Sequence, residues 1–440
     1  MKKNYFILLL FVVSYAGDGY AQQAQKITMQ SAVALGIENS TQLMTSNAKL
    51  KEAQAKLIEA RDHFLPDVGV SGTYMRINTP NVSMNDDNSG GGSGSPLSAL
   101  SNLHSLALLQ VTASEPIFNG FKIRNTKNMS EYLEQAANYD VATTKSKVAL
   151  NTLKAVYQYY ELLETRKVVE ENLKQAKQRV GEFANLEKNG LLPRNDRLRA
   201  ELQANTIELG LTEVNNNLQL AEYNLIILLG FAEDSKLELD TTGMFEVTAI
   251  DTWQASLDKG LQNRNELKSI GLQAKASSMN YNIAKADRLP SLGLSAGYVN
   301  AYIPNLLTVT NALNAGLSLK YSITGAIHSS HKMKEAKARM DQVDAAQKEV
   351  ENGVRMEIKK KFLEYQHKQD KLEINSRAIE QAQENFTIAE NKYKNGLLLL
   401  SDYLEANSLL LLSKINYATT RSEVMVAYYE LQESVGNLNK

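Results

Sequence analysis

The sequence contains no cysteine and only 7 prolines in 440 residues. Without cysteine there are no disulfides, no thiolate metal sites, no thiol nucleophile and no lipid-bearing N-terminal cysteine. Proline this scarce, with 43% hydrophobic and 22% charged residues, favours long uninterrupted helices over a disordered chain or an all-β domain. Long apolar runs are missing too: past the first 21 residues nothing offers the roughly 18 consecutive apolar residues that a membrane-spanning helix needs. Any insertion into a bilayer must therefore use β-strands. There is no excess of basic charge, the formal net being −1, so nothing points to nucleic acid. A GxSxG elbow, a Walker loop, an HExxH pair and a dinucleotide fingerprint are all absent in any supporting context, which leaves enzymatic chemistry without residues to carry it. His328 and His331 are close enough to share a helix face, but two imidazoles without a neighbouring carboxylate or cysteine are weak evidence for a metal. No cofactor is expected.

What is present begins with Met1-Lys2-Lys3, an apolar run from Tyr5 to Tyr15, and small residues around Ala21. This reads as a secretory signal over 1–21. Its removal takes away Lys2, Lys3 and Asp18 and moves the formal charge from −1 to −2.

The rest of the chain is a duplication, and such internal repeats expose architecture before secondary structure is assigned. Leu65-Pro66-Asp67-Val68-Gly69-Val70 returns as Leu289-Pro290-Ser291-Leu292-Gly293-Leu294, an offset of 224 that also pairs Gly36 with Gly260, Asn39 with Asn263 and Ala60 with Ala284. Further on, Lys188-Asn189-Gly190-Leu191-Leu192 returns as Lys394-Asn395-Gly396-Leu397-Leu398, now at an offset of 206. The first repeat thus carries 18 extra residues, which Thr79–Pro96 accounts for with its Asn, Asp, Gly and Ser. That composition cannot bury a core and predicts a flexible surface loop.

Each repeat reads as helix, strand, loop, strand, very long helix, tight turn, helix. Lys122–Glu187 and His328–Tyr393 are free of proline, and as continuous helices each would reach about 100 Å. Leu173, Ala176, Val180 and Phe183 step by three and four, as do their copies Ile379, Ala382, Phe386 and Ala389, a seam suited to coiled-coil packing. Leu153, Val156, Tyr160 and Leu163 form another seam in a different register. In the strands, Leu313, Ala315, Leu317, Leu319, Tyr321 and Ile323 alternate with small or polar residues, as Val68 and Val70 do, and Leu292 and Leu294. Such alternation predicts a lipid-facing surface made by these residues. Four strands cannot close a barrel alone, so the chain must oligomerise to hide its sheet edges.

The duplicated Leu-Pro strand starts, Pro116-Ile117-Phe118-Asn119-Gly120 leading from strand to helix, and the two Asn-Gly-Leu-Leu turns followed by Asp together resemble the TolC-like outer-membrane efflux family over the whole mature chain. The resemblance implies a mainly α fold with a membrane β-barrel portion, in which three chains share a twelve-stranded barrel continued by a twelve-helix periplasmic tube. The divisions expected are a signal peptide at 1–21, a first repeat at 22–233, an equatorial linker at 234–250 and a second repeat at 251–440. Strands are expected at about 66–76, 105–117, 290–302 and 312–324, with 79–96 as the flexible extracellular loop.

The implied function is the exit duct of a tripartite efflux or type I secretion system. Its partners would be a periplasmic adaptor, an inner-membrane pump, outer-membrane lipid and two further copies of the chain. A soluble periplasmic coiled-coil scaffold without a pore is the alternative; it accounts for the rods but not for the paired alternating segments.

Gly190 and Gly396 read first as plain helix corners, with Asn195 and Ser401 as N-cap candidates for the helices that follow. The resemblance makes Gly190, Leu191, Gly396 and Leu397 an adaptor-docking tip, and two exposed leucines per turn are hard to justify otherwise. Asp402 and Glu405, three apart on one helix face, read as solvated charges or, by resemblance, as an acidic ring at the periplasmic entrance. Asp196 and Tyr393 match residues that help hold the family's entrance closed. Leu398 stands where the prototype has an arginine, for which Arg194 or Arg197 is the candidate replacement.

Overall fold

The structure is a computed structural model and describes residues 25–76, 78, 104–246, 249–304 and 307–438. The expected signal segment 1–21 and loop 79–96 lie outside the described residues. The first repeat runs β1 (Gln25–Ile27), α1 (Met29–Glu38), α2 (Thr41–Asp62), β2 (Asp67–Arg76), β3 (Ser105–Phe118), α3 (Lys122–Lys188) and α4 (Arg194–Leu229). After β4 (Leu237–Leu239), the second runs α5 (Trp253–Asn263), α6 (Asn265–Ala286), β5 (Ser291–Ile303), β6 (Leu307–Lys320), α7 (Ile323–Lys394) and α8 (Leu400–Ser434). The two rods are continuous, at 67 and 72 residues.

The chain divides into two compact units, each built from both repeats. One comprises the described parts of Met1–Ser40, Val148–Ile250 and Leu363–Glu430; the other comprises those of Thr41–Lys147, Asp251–Phe362 and Leu431–Lys440.

In the second unit the Leu-Pro copies end their helices in the same way. Phe64 and Leu65 donate to Arg61 and Asp62, and Arg288 and Leu289 donate to Lys285 and Ala286, before Pro66 and Pro290 stop the turn. The strands that follow form one antiparallel sheet in the order β2-β3-β5-β6. Register puts Val68 opposite Ala113, Val70 opposite Val111, Tyr298 opposite Val111 and Leu313, Leu294 opposite Leu317, and Leu292 opposite Leu319. Opposed residues share a face, so all six residues expected to face lipid lie on the same side. Gly69, Ser71, Thr112, Gly297, Asn314 and Ser318 lie on the other.

Leu317 is 69% exposed and Leu313 82%, apolar area that nothing among the described residues covers.

Three of the strand limits match the sequence expectation within a residue; the fourth does not. β6 spans Leu307–Lys320 rather than 312–324. At its far end Ser322 accepts from Gly325 N–H at 3.0 Å through its side chain and from Ala326 through its carbonyl, starting α7 and drawing Ile323 into a helix. At its near end a bulge lies between the Val299–Ala312 and Ala301–Val309 pairs, with Asn311 at φ 57°. Asn300 accepts from Asn311 N–H at 2.7 Å and Tyr298 donates to Asn311 at 2.6 Å. An inserted residue reverses the alternation, so the pattern seen from Leu313 onward fades upstream although the strand continues.

In the first unit the expected linker 234–250 carries β4, which pairs in parallel with β1, Gln25 opposite Leu237 and Ile27 opposite Leu239. These three-residue strands are too short to show a period. They close over a core of Val156, Tyr157, Tyr160, Leu225, Leu229 and Met244. Tyr157 donates to Met244 O and Tyr159 to Leu237 O at 3.4 Å, so the buried phenols find partners. Burial pushes the Tyr159 phenol up to about 12, with Glu222 adding to the shift.

The duplicated glycines have a steric cause. A Cβ on Gly36 would lie 2.3 Å from Thr152 Oγ1, and one on Gly260 2.3 Å from Ile358 Cδ1. Thr152 and Ile358 are themselves 206 residues apart. In each unit, then, a short helix crosses a rod at a point where an added methyl would collide with a buried rod side chain. In the second unit, Arg264, 6% exposed, reaches Glu266 at 3.0 Å, Glu357 at 2.8 Å and Glu433 at 3.6 Å. Burial raises the Glu433 carboxyl above its ordinary range, while Arg264 opposes the rise.

Candidate functional site

The residues singled out at the two turns all fall in the first unit, where α3 meets α4 and α7 meets α8. Both turns have the same backbone. Gly190 N–H donates to Glu187 O at 2.8 Å and Leu191 N–H to Leu186 O at 2.9 Å; Gly396 donates to Tyr393 at 2.9 Å and Leu397 to Lys392 at 2.8 Å. These paired bonds are a Schellman cap, which needs a left-handed residue, and Gly190 and Gly396 stand at φ 72° and 71°. Leu191 and Leu397 are 73% and 75% exposed, while Leu192 and Leu398 pack inward.

The expected N-caps are not used. Pro193 holds the cap position of α4 at φ −63° with no side-chain bond, placing Asn195 inside the helix. Its ring presets the dihedral, and its missing N–H is an orphan there anyway. α8 starts at Leu400, and Ser401 donates to Asp402 at 3.0 Å rather than capping. Asp196 and Asp402 lie in the first turns of α4 and α8, where the helix dipole favours negative charge.

Between the turns lies an open groove of about 850 Å³, lined among others by Arg179, Glu182, Asp196, Glu390, Tyr393 and Tyr403. Tyr393 and Tyr403 stack with centroids 5.1 Å apart, and Phe386 stacks on Tyr403 at 5.7 Å. The Arg179 guanidinium sits 4.5 Å over the Tyr403 ring. Burial raises the Tyr393 phenol above its ordinary value; the nearby Asp196 charge adds to this and Arg179 opposes it. Asp196 and Tyr393, paired by the family resemblance, lie close enough for the carboxylate charge to act on the phenol. Asp402 and Glu405 share an exposed face of α8, with Tyr403 and Ala406 buried behind them.

The arginine facing these tyrosines is neither of the two candidates. Arg197 is bound to Glu187 and Glu201, and Arg194 is exposed. The guanidinium over Tyr403 belongs to Arg179, three residues from Glu182 on α3. It escaped the sequence reading because its repeat equivalent, Asn385, carries no charge; its position beside the Ala176 to Phe183 seam was the available signal.

Residues 33–231 and 257–437 match the family described as outer membrane efflux protein. The matched spans are the two repeats, and the chain belongs to that family. No curated protein matches the chain. Among solved structures, the outer membrane protein VceC from Vibrio cholerae superposes with a TM-score of 0.78 at 19% identity, covering 93% of this chain and 96% of its own. The outer-membrane channel OprN gives 0.77 at 18%, with 94% and 91% covered. The CmeC outer membrane channel of Campylobacter jejuni gives 0.77 at 16%, with 93% and 85% covered. The fold is that of TolC-like outer-membrane channels, and the protein is placed in the outer membrane with a periplasmic extension.

Proposed function

We propose that this chain is one subunit of a trimeric exit duct that passively conducts substrates, delivered by a periplasmic adaptor and an inner-membrane pump, to the cell exterior. The observation that carries this reading is the four-stranded sheet, apolar and exposed on one face, with β2 and β6 unpaired at its edges among the described residues. In a four-stranded antiparallel order the two edge strands run in opposite directions. β6 of one copy therefore meets β2 of the next in antiparallel register, and a closed ring removes every edge. Three copies, the number implied by the family resemblance, make twelve strands.

In this reading Val68, Val70, Leu292, Leu294, Leu317 and Leu319 face lipid. Gly190, Leu191, Gly396 and Leu397 form the tip that receives the adaptor. Asp402 and Glu405 from three copies ring the entrance, which contacts of Asp196 and Tyr393, with Arg179, hold closed. The chain supplies a path and a gate, while the energy comes from its partners. Single-channel recording from purified protein in planar bilayers is the test. Discrete conductance steps from trimers are expected, and a membrane-inserted trimer without conductance would refute the duct.

A further inference from the structure

A second groove, of about 730 Å³, lies in the unit that holds the sheet, where the first turns of α3 meet the end of α6. Phe121, Met279 and Leu289 give it an apolar wall, and Arg124, Lys285 and Arg288 give it three cations. The neighbouring carboxylate, Asp287, is already held by Lys122 at 3.3 Å and Lys332 at 2.9 Å. Arg124 and Lys285 have no ion-pair partner among the described residues, and Arg288 uses only its Nε, on Ser329 at 3.0 Å. The groove is thus cationic and unneutralised.

It is also joined to the apolar face of the sheet. Phe118 stands opposite Leu292 on that face, after the bulge that ends β3, and its ring meets Phe121 edge-on at 5.3 Å. Phe121 is held at φ 66°, a left-handed conformation that is uncommon for a bulky side chain, and is 57% exposed. Next to it a Cβ on Gly120 would lie 2.8 Å from Ala286 O, so the β3–α3 turn is pressed against α6. Tight backbone packing therefore holds an aromatic ring outward beside three cations that no carboxylate among the described residues neutralises, a combination that water alone does not reward.

We propose that this groove binds an anionic phospholipid, its phosphate among Arg124, Lys285 and Arg288 and its acyl chains over Phe121, Leu289 and Met279. The proposal rests on the outward reading of the apolar sheet face. Basic residues beneath a membrane-facing apolar surface attract anionic headgroups, and an aromatic ring suits the interface between chain and headgroup.

The test uses the full-length trimer with Phe121→Trp in a Trp253→Phe background, so that the only tryptophan reports on the groove. It is reconstituted with brominated phosphatidylglycerol or brominated phosphatidylcholine. Stronger quenching by the anionic lipid is expected, and Arg124→Gln with Lys285→Gln should weaken its relative affinity by roughly tenfold or more, leaving phosphatidylcholine unchanged. Native mass spectrometry of the unsubstituted protein should retain phosphatidylglycerol in preference, guarding against a probe that disturbs folding. Equal quenching by both lipids would overturn the anionic site while leaving the lipid-facing surface standing. Absence of quenching by either would overturn that surface as well. Displacement of bound phosphatidylglycerol by millimolar inorganic phosphate would make it a site for soluble anions and likewise refute the proposal.

Discussion

Tyr393 and Tyr403 stack almost in parallel, with 6° between their ring planes, and their equivalents one repeat earlier are Glu187 and Arg197, which form an ion pair. The same two positions thus tie a long helix to the short helix after its turn, by stacking in one hairpin and by charge in the other. The duplication has kept the backbone and divided the chemistry. Tyrosine stacking is little affected by salt, whereas an ion pair that solvent reaches is screened.

Replacing these residues should therefore have unequal effects. Tyr403 is buried, and Tyr403→Ala should cost about 3–5 kcal/mol, as truncation of a buried aromatic does. Arg197→Ala should cost much less, because a solvent-screened pair contributes little to stability. Hydrogen exchange over the two turns will measure this, with faster exchange around Gly396 in the first variant and little change around Gly190 in the second.

Gly36→Ala and Gly260→Ala each force a methyl into space already held by Thr152 or Ile358. Each should destabilise its unit by about 1–3 kcal/mol through overpacking. Gly181→Ala, with open space around its Cβ position, is the control and should be neutral or slightly stabilising. Thermal unfolding of the three variants separates steric need from helix propensity.

Much of this fold was legible because the chain states it twice. Leu65-Pro66 and Leu289-Pro290, Gly36 and Gly260, and the two Asn-Gly-Leu-Leu turns are local devices whose cause lies within a few residues or at one crossing, so sequence records them directly. Features arising from register or from distant pairing were hidden. The bulge at Asn311 broke the alternation that would have located the start of β6. β1 and β4 pair across more than two hundred residues with only three residues each. Arg179 faces Tyr403 from another helix, and no spacing rule relates them. Asp196 and Tyr393 were paired only by resemblance.

Arg264 is the buried cation that bridges Glu266, Glu357 and Glu433, while the more exposed Lys147 reaches Glu266 at 4.0 Å. Arg264→Ala leaves them facing one another and should cost about 3–5 kcal/mol at neutral pH, as when one side of a buried pair is removed. The raised pKa of Glu433 fixes the sign: its contribution is fully present below the ordinary carboxylate pKa and is lost as pH rises through the folded value. The penalty in the variant should accordingly shrink toward pH 4. Unfolding midpoints of parent and variant at pH 4.5 and 7.5 provide the check, and an equal loss at both would contradict a charge-based role.

Leu317 lies in the middle of the apolar face, opposite Leu294. Leu317→Arg should cost about 2–4 kcal/mol if that face meets the bilayer core, and should prevent assembly in the outer membrane. Gly316→Arg, on the other face, should assemble. Heat-modifiable migration of membrane fractions will distinguish them; normal assembly of Leu317→Arg would mean that the faces are assigned the wrong way round.

If Asp402 and Glu405 ring the entrance while Asp196 and Tyr393 hold it closed, as proposed, the two sets should separate in electrical recordings. Asp402 and Glu405 are exposed and three residues apart, so neither is needed to pack α8, and their removal should spare the fold. If three chains bring these carboxylates to a common axis, the constriction favours cations and binds multivalent ones. Asp402→Ala with Glu405→Ala should then reduce cation preference and weaken block by a trivalent cation added from the periplasmic side. Asp196→Ala acts on a different step. Its charge bears on Tyr393 in the groove that also holds Arg179, so its loss should loosen the closed entrance and raise resting conductance more than it alters selectivity. Arg179→Ala, which removes the cation stacked on Tyr403, should behave like Asp196→Ala. Planar-bilayer recordings on intact trimers will show whether these variants fall into two classes. Unchanged selectivity and block in the double variant would make Asp402 and Glu405 ordinary solvated charges.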